Sequence, residues 1–280
     1  MNDSLAIGGD LNVSRVGFGA MRLTGPGIWG EPRDRDDCIR VLRRAVDLGV
    51  ELIDTADSYG PFVSERLVAE ALHPYPENVV IATKAGLVRD GPGQWRPDGR
   101  PQHLKAAVDG SLSRLRLEQI PLLQWHRPDP AVPFEDSLGQ LVELKEEGKI
   151  RHLGLSNVDD DQLTRALRMT PIVSVQNRYN VDDRSSDGIV DRCESEQLAF
   201  IPWAPLAPGG FDRARVPLTT AAERHGATTN QIALAWLLAR SPVMLPIPGT
   251  SSVAHLEENV AARDITLSDE ERETLDHLFD

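Results

Sequence analysis

The sequence predicts an α/β protein: a (β/α)8 TIM barrel with an N-terminal β-hairpin and extra C-terminal helices. Three observations carry this. Eight short apolar runs alternate with amphipathic segments, which is the pattern of strands each trailed by a helix. A chain of 280 residues suits one such barrel. No glycine-rich phosphate fingerprint follows the first run, which disfavours a doubly wound open sheet. Gly17-Phe18-Gly19 does not continue into one, and the next helical pattern begins well downstream.

Taken in order, Leu5 to Val13 reads as a hairpin turning at Gly8-Gly9-Asp10. The strand candidates are Val16–Ala20, Leu52–Thr55, Val79–Lys84, Leu122–His126, His152–Leu155, Ile172–Gln176, Phe200–Ala204 and Met244–Pro248. The helical patterns between them are Asp36–Leu48, Ser64–Leu72, Gln102–Leu115, Phe134–Glu147, Asp159–Arg168, Asp187–Glu196 and Asn230–Ala239, with Val253–Ala262 after the last strand. Gly49 and Gly148 stand where a helix C-terminal glycine belongs. Thr229 or Asn230 is expected to cap the helix holding Trp236. Ser268-Asp269-Glu270-Glu271 reads as a capping box opening a final helix to Leu278. With no linker, low-complexity tract or shift in composition, residues 1–280 are expected to form a single domain.

Composition narrows the function. The net charge of −13, from 43 acidic and 30 basic residues, argues against a nucleic-acid surface. Hydrophobic residues make up 40%, enough for a sizeable core. Cys38 and Cys193 fall in helical patterns with no metal spacing, so two reduced thiols are expected. Met1-Asn2-Asp3 offers no basic region and no long apolar run follows, so no secretory leader is expected. No stretch has the ~18 consecutive apolar residues of a spanning helix. A cytoplasmic protein without membrane partners is expected.

The chain is organised around Leu52-Ile53-Asp54-Thr55-Ala56-Asp57-Ser58-Tyr59-Gly60. An apolar strand ends in a carboxylate, and a phenol follows in the loop. In a barrel the carboxyl ends of all strands meet on one face, where the chemistry sits. The next strands bring Lys84 and His126 to that face. A lysine closing an apolar strand is costly unless paired, and Asp54 is the natural partner. The lysine would then lower the pKa of the Tyr59 phenol, making it a proton donor near neutral pH. His126 would orient a substrate oxygen and could well be uncharged. Each residue alone has a plainer reading as a helix cap, a loop anchor or a structural histidine. Their joint arrival on three consecutive strands points to a site.

These residues resemble the aldo-keto reductase family. The resemblance rests on Gly17-Phe18-Gly19-Ala20-Met21-Arg22, Ile53 to Gly60, Ala82-Thr83-Lys84, His126-Arg127-Pro128-Asp129-Pro130, Gly148 to Asn157, Val175 to Asn180 and Ile247-Pro248-Gly249-Thr250. It implies reduction of aldehydes and ketones, with the proton from Tyr59, tuning by the Lys84–Asp54 pair and positioning of the carbonyl by His126. It implies NADPH as cofactor, with NADH possible, a small carbonyl compound as substrate and no metal. Ser156, Asn157 and Gln176 would meet the carboxamide and Trp203 the nicotinamide ring. Ala204, Pro205, Leu206 and Pro208 would run beneath the pyrophosphate, and Gly19, Met21, Arg22 and Asp54 would line the near wall. Pro248, Gly249, Thr250, Ser251, Ser252 and His255 would cradle a 2′-phosphate at a helix start, with Glu258 and Asn259 on the adenine. Here the chain departs from many relatives: Gly249 stands where some have a lysine and His255 where many have an arginine, which leaves the motif without a permanent cation.

Trp29 and Trp95 sit in long loops after the first and third strands and are candidate substrate-site walls; Met21 and Phe62 are weaker candidates. Trp125 should point away from the barrel axis. The narrower expectation is a reductase of pyridoxal-like aromatic aldehydes. The expectation from another class is a nicotinamide-nucleotide-binding sensor or regulatory subunit with little turnover. The sequence sets neither the substrate nor the oligomeric state, for which a monomer is the default.

Overall fold

The structure, a computed structural model, describes residues 4–207 and 209–279. Seven parallel strands form its central sheet: β3 (Phe18–Gly19), β4 (Leu52–Asp54), β5 (Val80–Ala85), β8 (Ile120–Trp125), β9 (Ile150–Ser156), β10 (Ile172–Gln176) and β11 (Ala199–Phe200). They lie side by side in that order. The hairpin β1 (Ser4–Ile7) and β2 (Leu11–Ser14) precedes them.

The eighth predicted run, Met244–Pro248, closes the barrel without forming a regular strand. Pro246 and Pro248 have no N–H to donate, but their carbonyls still accept. Gly17 N–H donates to Pro246 O at 3.0 Å and Gly19 N–H to Pro248 O at 3.5 Å. On the other side Phe200 N–H reaches Val243 O, and Leu245 N–H reaches Phe200 O, both at 2.9 Å. The sheet therefore curls from β11 back to β3 through this segment, giving the (β/α)8 barrel.

Helices α1 (Arg35–Asp47), α2 (Val63–Leu72), α3 (Pro101–Leu115), α4 (Phe134–Glu146), α5 (Asp160–Met169), α6 (Asp187–Ser195), α7 (Arg215–His225), α8 (Thr229–Arg240) and α9 (Val253–Ala261) surround the sheet, and α10 (Asp269–Asp276) follows. The expected capping box at Ser268 is formed. Helix α8 is capped one residue earlier than expected: Thr228 accepts from Gln231 N–H, and Thr229 and Asn230 lie inside the helix. Two elements were not anticipated. Helix α7 buries only Leu218, Ala221 and Ala222, too few for a clear 3.6 period. The hairpin β6 (Leu87–Gly91) and β7 (Gln94–Pro97) fills the loop after β5, and its half-exposed strands lack clean alternation. Among the described residues no helix is long and apolar enough to cross a membrane.

The barrel interior changes character along the strands. At its lower end Leu52, Val80, Ala82, Leu122 and Val173 pack with Ile201, Leu245 and Ile247, and Ile7, Leu11 and Val13 of the hairpin plug the end. Side chains two residues further along a strand point the same way. There Leu52 gives way to Asp54, Ala82 to Lys84 and Leu122 to Gln124, while β10, whose register shifts between Ile172 and Ser174, adds Gln176. One period-two pattern thus builds an apolar layer with a polar one directly above it. Gly154 makes room for the polar layer: a β-carbon there would stand 2.2 Å from Ser174 Oγ and 3.2 Å from Gln124 Cγ.

The seam at β3 is equally tight. A β-carbon on Gly19 would lie 2.7 Å from Ile247 O, and one on Gly249 only 2.5 Å from Gly19 O. Gly139 in α4 meets nothing within 4 Å. Gly19→Ala should therefore cost about 1–3 kcal/mol through overpacking against backbone. Gly139→Ala should gain about 0.5–1 kcal/mol from helix propensity. Urea unfolding of the two variants beside the parent checks both signs.

Candidate active site

The polar layer is built around one buried ion pair. Lys84 Nζ donates to Asp54 Oδ2 at 2.6 Å, to Thr55 O at 2.9 Å and to the Tyr59 hydroxyl oxygen at 3.1 Å. All three ammonium protons are thereby spent. The Lys84 side chain is 0% exposed and that of Asp54 3%, so neither charge is shared with water. The other Asp54 oxygen accepts from Gln124 Nε2 at 3.1 Å and Gln176 Nε2 at 3.0 Å. A buried pair survives only when its remaining lone pairs and protons are satisfied, and four strands supply the partners here. Lys84 is the penultimate residue of β5, with Ala85 after it.

The electrostatics correct one expectation. The Tyr59 phenol is shifted upward: burial is the largest cause, Lys84 pulls it back, and the charge of Asp54 pushes it up again. Lys84 shows the opposite contest. Burial disfavours its charge, but Asp54 and Tyr59 favour it, and its pKa ends above the ordinary value. His126 lies well below its usual range through burial, with Lys84 and Arg127 adding to the effect. It is a neutral imidazole at neutral pH.

His126 sits beside the phenol, with ring centroids 5.9 Å apart and planes at 82°. Its Nδ1 faces Ser58 Oγ at 3.4 Å, and its backbone carbonyl accepts from Asn157 Nδ2 at 3.0 Å. Trp95, carried by the β6–β7 hairpin, completes the group. Its ring is 6.2 Å from that of Tyr59 and 6.4 Å from that of His126. Trp29 joins this wall through Arg89, whose guanidinium stands 3.7 Å from the Trp95 ring centre and 5.7 Å from that of Trp29. Phe62 instead stacks on Arg114, 4.3 Å away. Trp125 points outward as expected and packs on Phe134.

The residues expected at a nicotinamide lie at neighbouring strand ends, several already engaged with one another. Asn157 adopts a left-handed backbone, φ +58°. Its amide donates to His126 O and Ser156 Oγ and accepts from Trp203 Nε1 at 3.1 Å. Gln176 gives its N–H to Asp54 and keeps its carbonyl oxygen unpartnered among the described residues. Ala204 also has a positive φ, +52°, and its carbonyl accepts from Asn180 Nδ2. Pro205 and Leu206 follow it, and Pro208 lies outside the described residues. Gly19 leads into a short 3-10 turn holding Met21 and Arg22. Beyond Pro248 and Gly249, Ser252 caps α9 by accepting from His255 N–H, and Thr250 Oγ1 accepts from Ser252 N–H. Ser251, His255 and Glu258 are exposed on this lip, and Asn259 is buried beneath it.

Sequence reasoning missed Gln124, Ser58 and Arg89. Gln124 was within reach of it: it lies two residues before His126, on the same strand face. Its Oε1 is buried with no partner. Among the described residues no cluster of three or more His, Cys, Asp or Glu side chains could hold a metal. Cys38 and Cys193 are free and buried.

A family model described as the aldo/keto reductase family matches residues 15–280. An uncharacterized oxidoreductase of Schizosaccharomyces pombe is 51% identical over 94% of this chain and 85% of its own length. Pyridoxine 4-dehydrogenase of Escherichia coli is 44% identical over 96% of both chains. Among solved structures, a glycerol dehydrogenase from Gluconobacter oxydans superposes with a TM-score of 0.89 at 28% identity, covering 99% of this chain and 95% of its own. An aldo-keto reductase from Klebsiella pneumoniae in complex with NADPH gives 0.83 at 28% identity, covering 100% and 95%.

The ion pair sets a clear stability test. Lys84→Met leaves Asp54 charged, buried and facing only amides, which should cost about 3–5 kcal/mol. Lys84→Met with Asp54→Leu removes both charges and should recover part of that loss. Denaturant midpoints of the single and double variants measure the difference; equal stability of the single variant and the parent would contradict the pairing.

Proposed function

This chain belongs to the aldo/keto reductase family, and from that premise we propose that it reduces the carbonyl group of small aldehydes and ketones to alcohols with NADPH, Tyr59 giving the proton. One observation carries the reading: Lys84 Nζ lies 2.6 Å from Asp54 and 3.1 Å from the Tyr59 oxygen, with both charged side chains buried.

The residues present fit a nicotinamide dinucleotide. A carboxamide needs an acceptor for its N–H and a donor for its carbonyl oxygen. Gln176 keeps a free carbonyl and Ser156 a hydroxyl proton, while the orphaned Gln124 Oε1 adds a second acceptor beside Asp54. The half-buried Trp203 would offer its ring face. The N–H groups at the start of α9 and the hydroxyls of Thr250, Ser251 and Ser252 would hold phosphate. When bound, the reduced nicotinamide supplies hydride to the carbonyl carbon.

The chain's own residues do the rest. Lys84 donates to the phenol oxygen, so the phenol's own proton is left to point at substrate. Giving up that proton creates a phenolate 3.1 Å from an ammonium, which stabilises the developing charge where it forms. The upward shift of the phenol keeps it protonated in the resting enzyme. A hydrogen bond given by Ser58 to His126 Nδ1 would leave the imidazole proton on Nε2, aimed at the substrate oxygen. The adjacent Tyr59 and His126 fix the carbonyl oxygen in one orientation. The Trp95 wall favours a flat aromatic aldehyde, and the pyridoxine 4-dehydrogenase likeness supports that narrower reading.

Gly249 cannot be exchanged for a lysine, because its β-carbon would meet Gly19 O. Arg22 is the cation at this point instead. Its Cγ lies 3.5 Å from the position of that missing β-carbon, its side chain is exposed, and no carboxylate pairs with it among the described residues. Arg22→Ala should weaken NADPH more than NADH, read by tryptophan-fluorescence titration; equal losses would place the 2′-phosphate elsewhere.

Tyr59→Phe should lower kcat by about 10²–10⁴-fold and leave NADPH affinity within twofold of the parent. In the parent the reduction rate should fall on the alkaline side as the phenol ionises, above its ordinary pKa. It should show no acid limb near the ordinary histidine value, because His126 is already neutral there. Steady-state rates across pH test both statements, and a full-rate Tyr59→Phe enzyme removes Tyr59 as the acid.

A further inference from the structure

Arg89 is a charged side chain with no carboxylate partner among the described residues. Its five N–H groups are all spent on backbone carbonyls. Nε donates to Gln94 O at 2.9 Å, Nη1 to Ile28 O at 2.7 Å and Ser58 O at 3.2 Å, and Nη2 to Gly27 O at 2.8 Å and Gly91 O at 3.3 Å. Those carbonyls belong to three separate segments: the loop after β3, the loop after β4 and the β6–β7 hairpin. One guanidinium fork ties together the parts of chain that carry Trp29, Ser58 and Trp95.

A saturated fork has no N–H left for a substrate anion, so Arg89 is not a ligand for substrate charge. Its faces remain, and one lies 3.7 Å from the Trp95 ring centre, inside the range of a strong cation–π contact. Partial burial makes the charge itself unfavourable and pulls its pKa down, so the arrangement is not the cheapest use of an arginine. The backbone it holds is strained as well. Ile28 is β-branched yet has φ +55°, a conformation such residues avoid. Gly30 N–H to Gly60 O at 2.6 Å and Arg89 on Ile28 O hold it there. Strain and desolvation meet at one place, next to the phenol and imidazole.

We propose that Arg89 is a positioning residue that selects planar aromatic carbonyl substrates by holding Trp95, and through it the indole wall, against Tyr59 and His126. The inference rests on the carbonyl-reductase reading and deepens it. A rigid indole at 6.2 Å from the phenol ring gives a flat substrate a surface already ordered before binding, so the entropic cost of ordering that wall is not charged to binding. A small aliphatic aldehyde does not use the surface and gains nothing from it. The chemical step depends on Tyr59, Lys84 and His126, none of which bonds to the Arg89 side chain; Ser58 meets Arg89 through its backbone carbonyl and not through the hydroxyl that faces His126.

The test compares pyridine-4-carbaldehyde with propanal in the parent, Arg89→Met, Trp95→Ala and the double variant. Arg89→Met should raise KM for pyridine-4-carbaldehyde at least tenfold, with kcat within threefold and KM for propanal within twofold. NADPH affinity should not move. In the Trp95→Ala background the arginine substitution should have no further effect on KM, since the wall it holds is gone. An equal rise in KM for both aldehydes, or additive effects in the double variant, overturns the proposal. If Arg89→Met does not fold, Arg89→Lys keeps the charge but loses the fork and faces the same criteria. If the parent turns over neither aldehyde, the reductase reading fails on its own account. Binding of pyridine-4-carbaldehyde, followed by tryptophan quenching in parent and Arg89→Met proteins, then decides the arginine's role by the same tenfold criterion.

Discussion

The Lys84–Asp54 pair is the constraint on which the rest of the structure depends. Two opposite charges are held out of water, and each must have every hydrogen-bonding position filled or the pair becomes a liability. Lys84 reaches Asp54, Thr55 O and Tyr59; Asp54 takes Gln124 and Gln176 on its second oxygen. These partners come from β4, β5, β8 and β10 and from the loop that carries Tyr59. A slip of one residue in any of those strands would turn its inward side chain out of the barrel. The ion pair and the barrel register therefore specify each other, and the reactive phenol is placed by the same contacts that satisfy the charges.

The layer below explains how such a polar cluster is tolerated. The lower interior is closed by aliphatic side chains and by the N-terminal hairpin, so water has no route from that end. The barrel is completed by a segment that accepts hydrogen bonds at Pro246 and Pro248 and donates none there. At the upper end of this seam Gly19 and Gly249 touch backbone to backbone. The contact that leaves no room for a side chain at position 249 has Arg22 as its neighbour, with Cγ 3.5 Å from where that β-carbon would stand.

Much of this was legible in the sequence because it obeys short periods. The convergence of strand carboxyl ends placed Asp54, Lys84 and His126 on one barrel face, alternation sent Trp125 outward, and the capping box at Ser268 announced its helix. What escaped has physical reasons. The sign of the Tyr59 shift was misjudged because only the nearest cation was weighed; burial and the Asp54 charge act against it and win. Asn157 and Gln176 were expected to await a ligand, yet both have claims from neighbours that only the curled sheet brings near. Arg89 escaped altogether, since its partners are backbone carbonyls of three loops, and carbonyls leave no mark in residue identity.

That last case separates two kinds of information in the fold. Strand residues hold the buried ion pair and its amide partners, and their positions follow from a period of two. The indole wall is set by loop backbone: a left-handed Ile28, a bridge from Gly30 to Gly60, and a guanidinium that gathers five carbonyls. Substitutions in these segments can move Trp29 and Trp95 without disturbing a strand of the central sheet. Conversely, the Lys84–Asp54 pair cannot move without unsettling four strands. The ion pair is thus locked into the barrel register, while the indole wall hangs on Arg89.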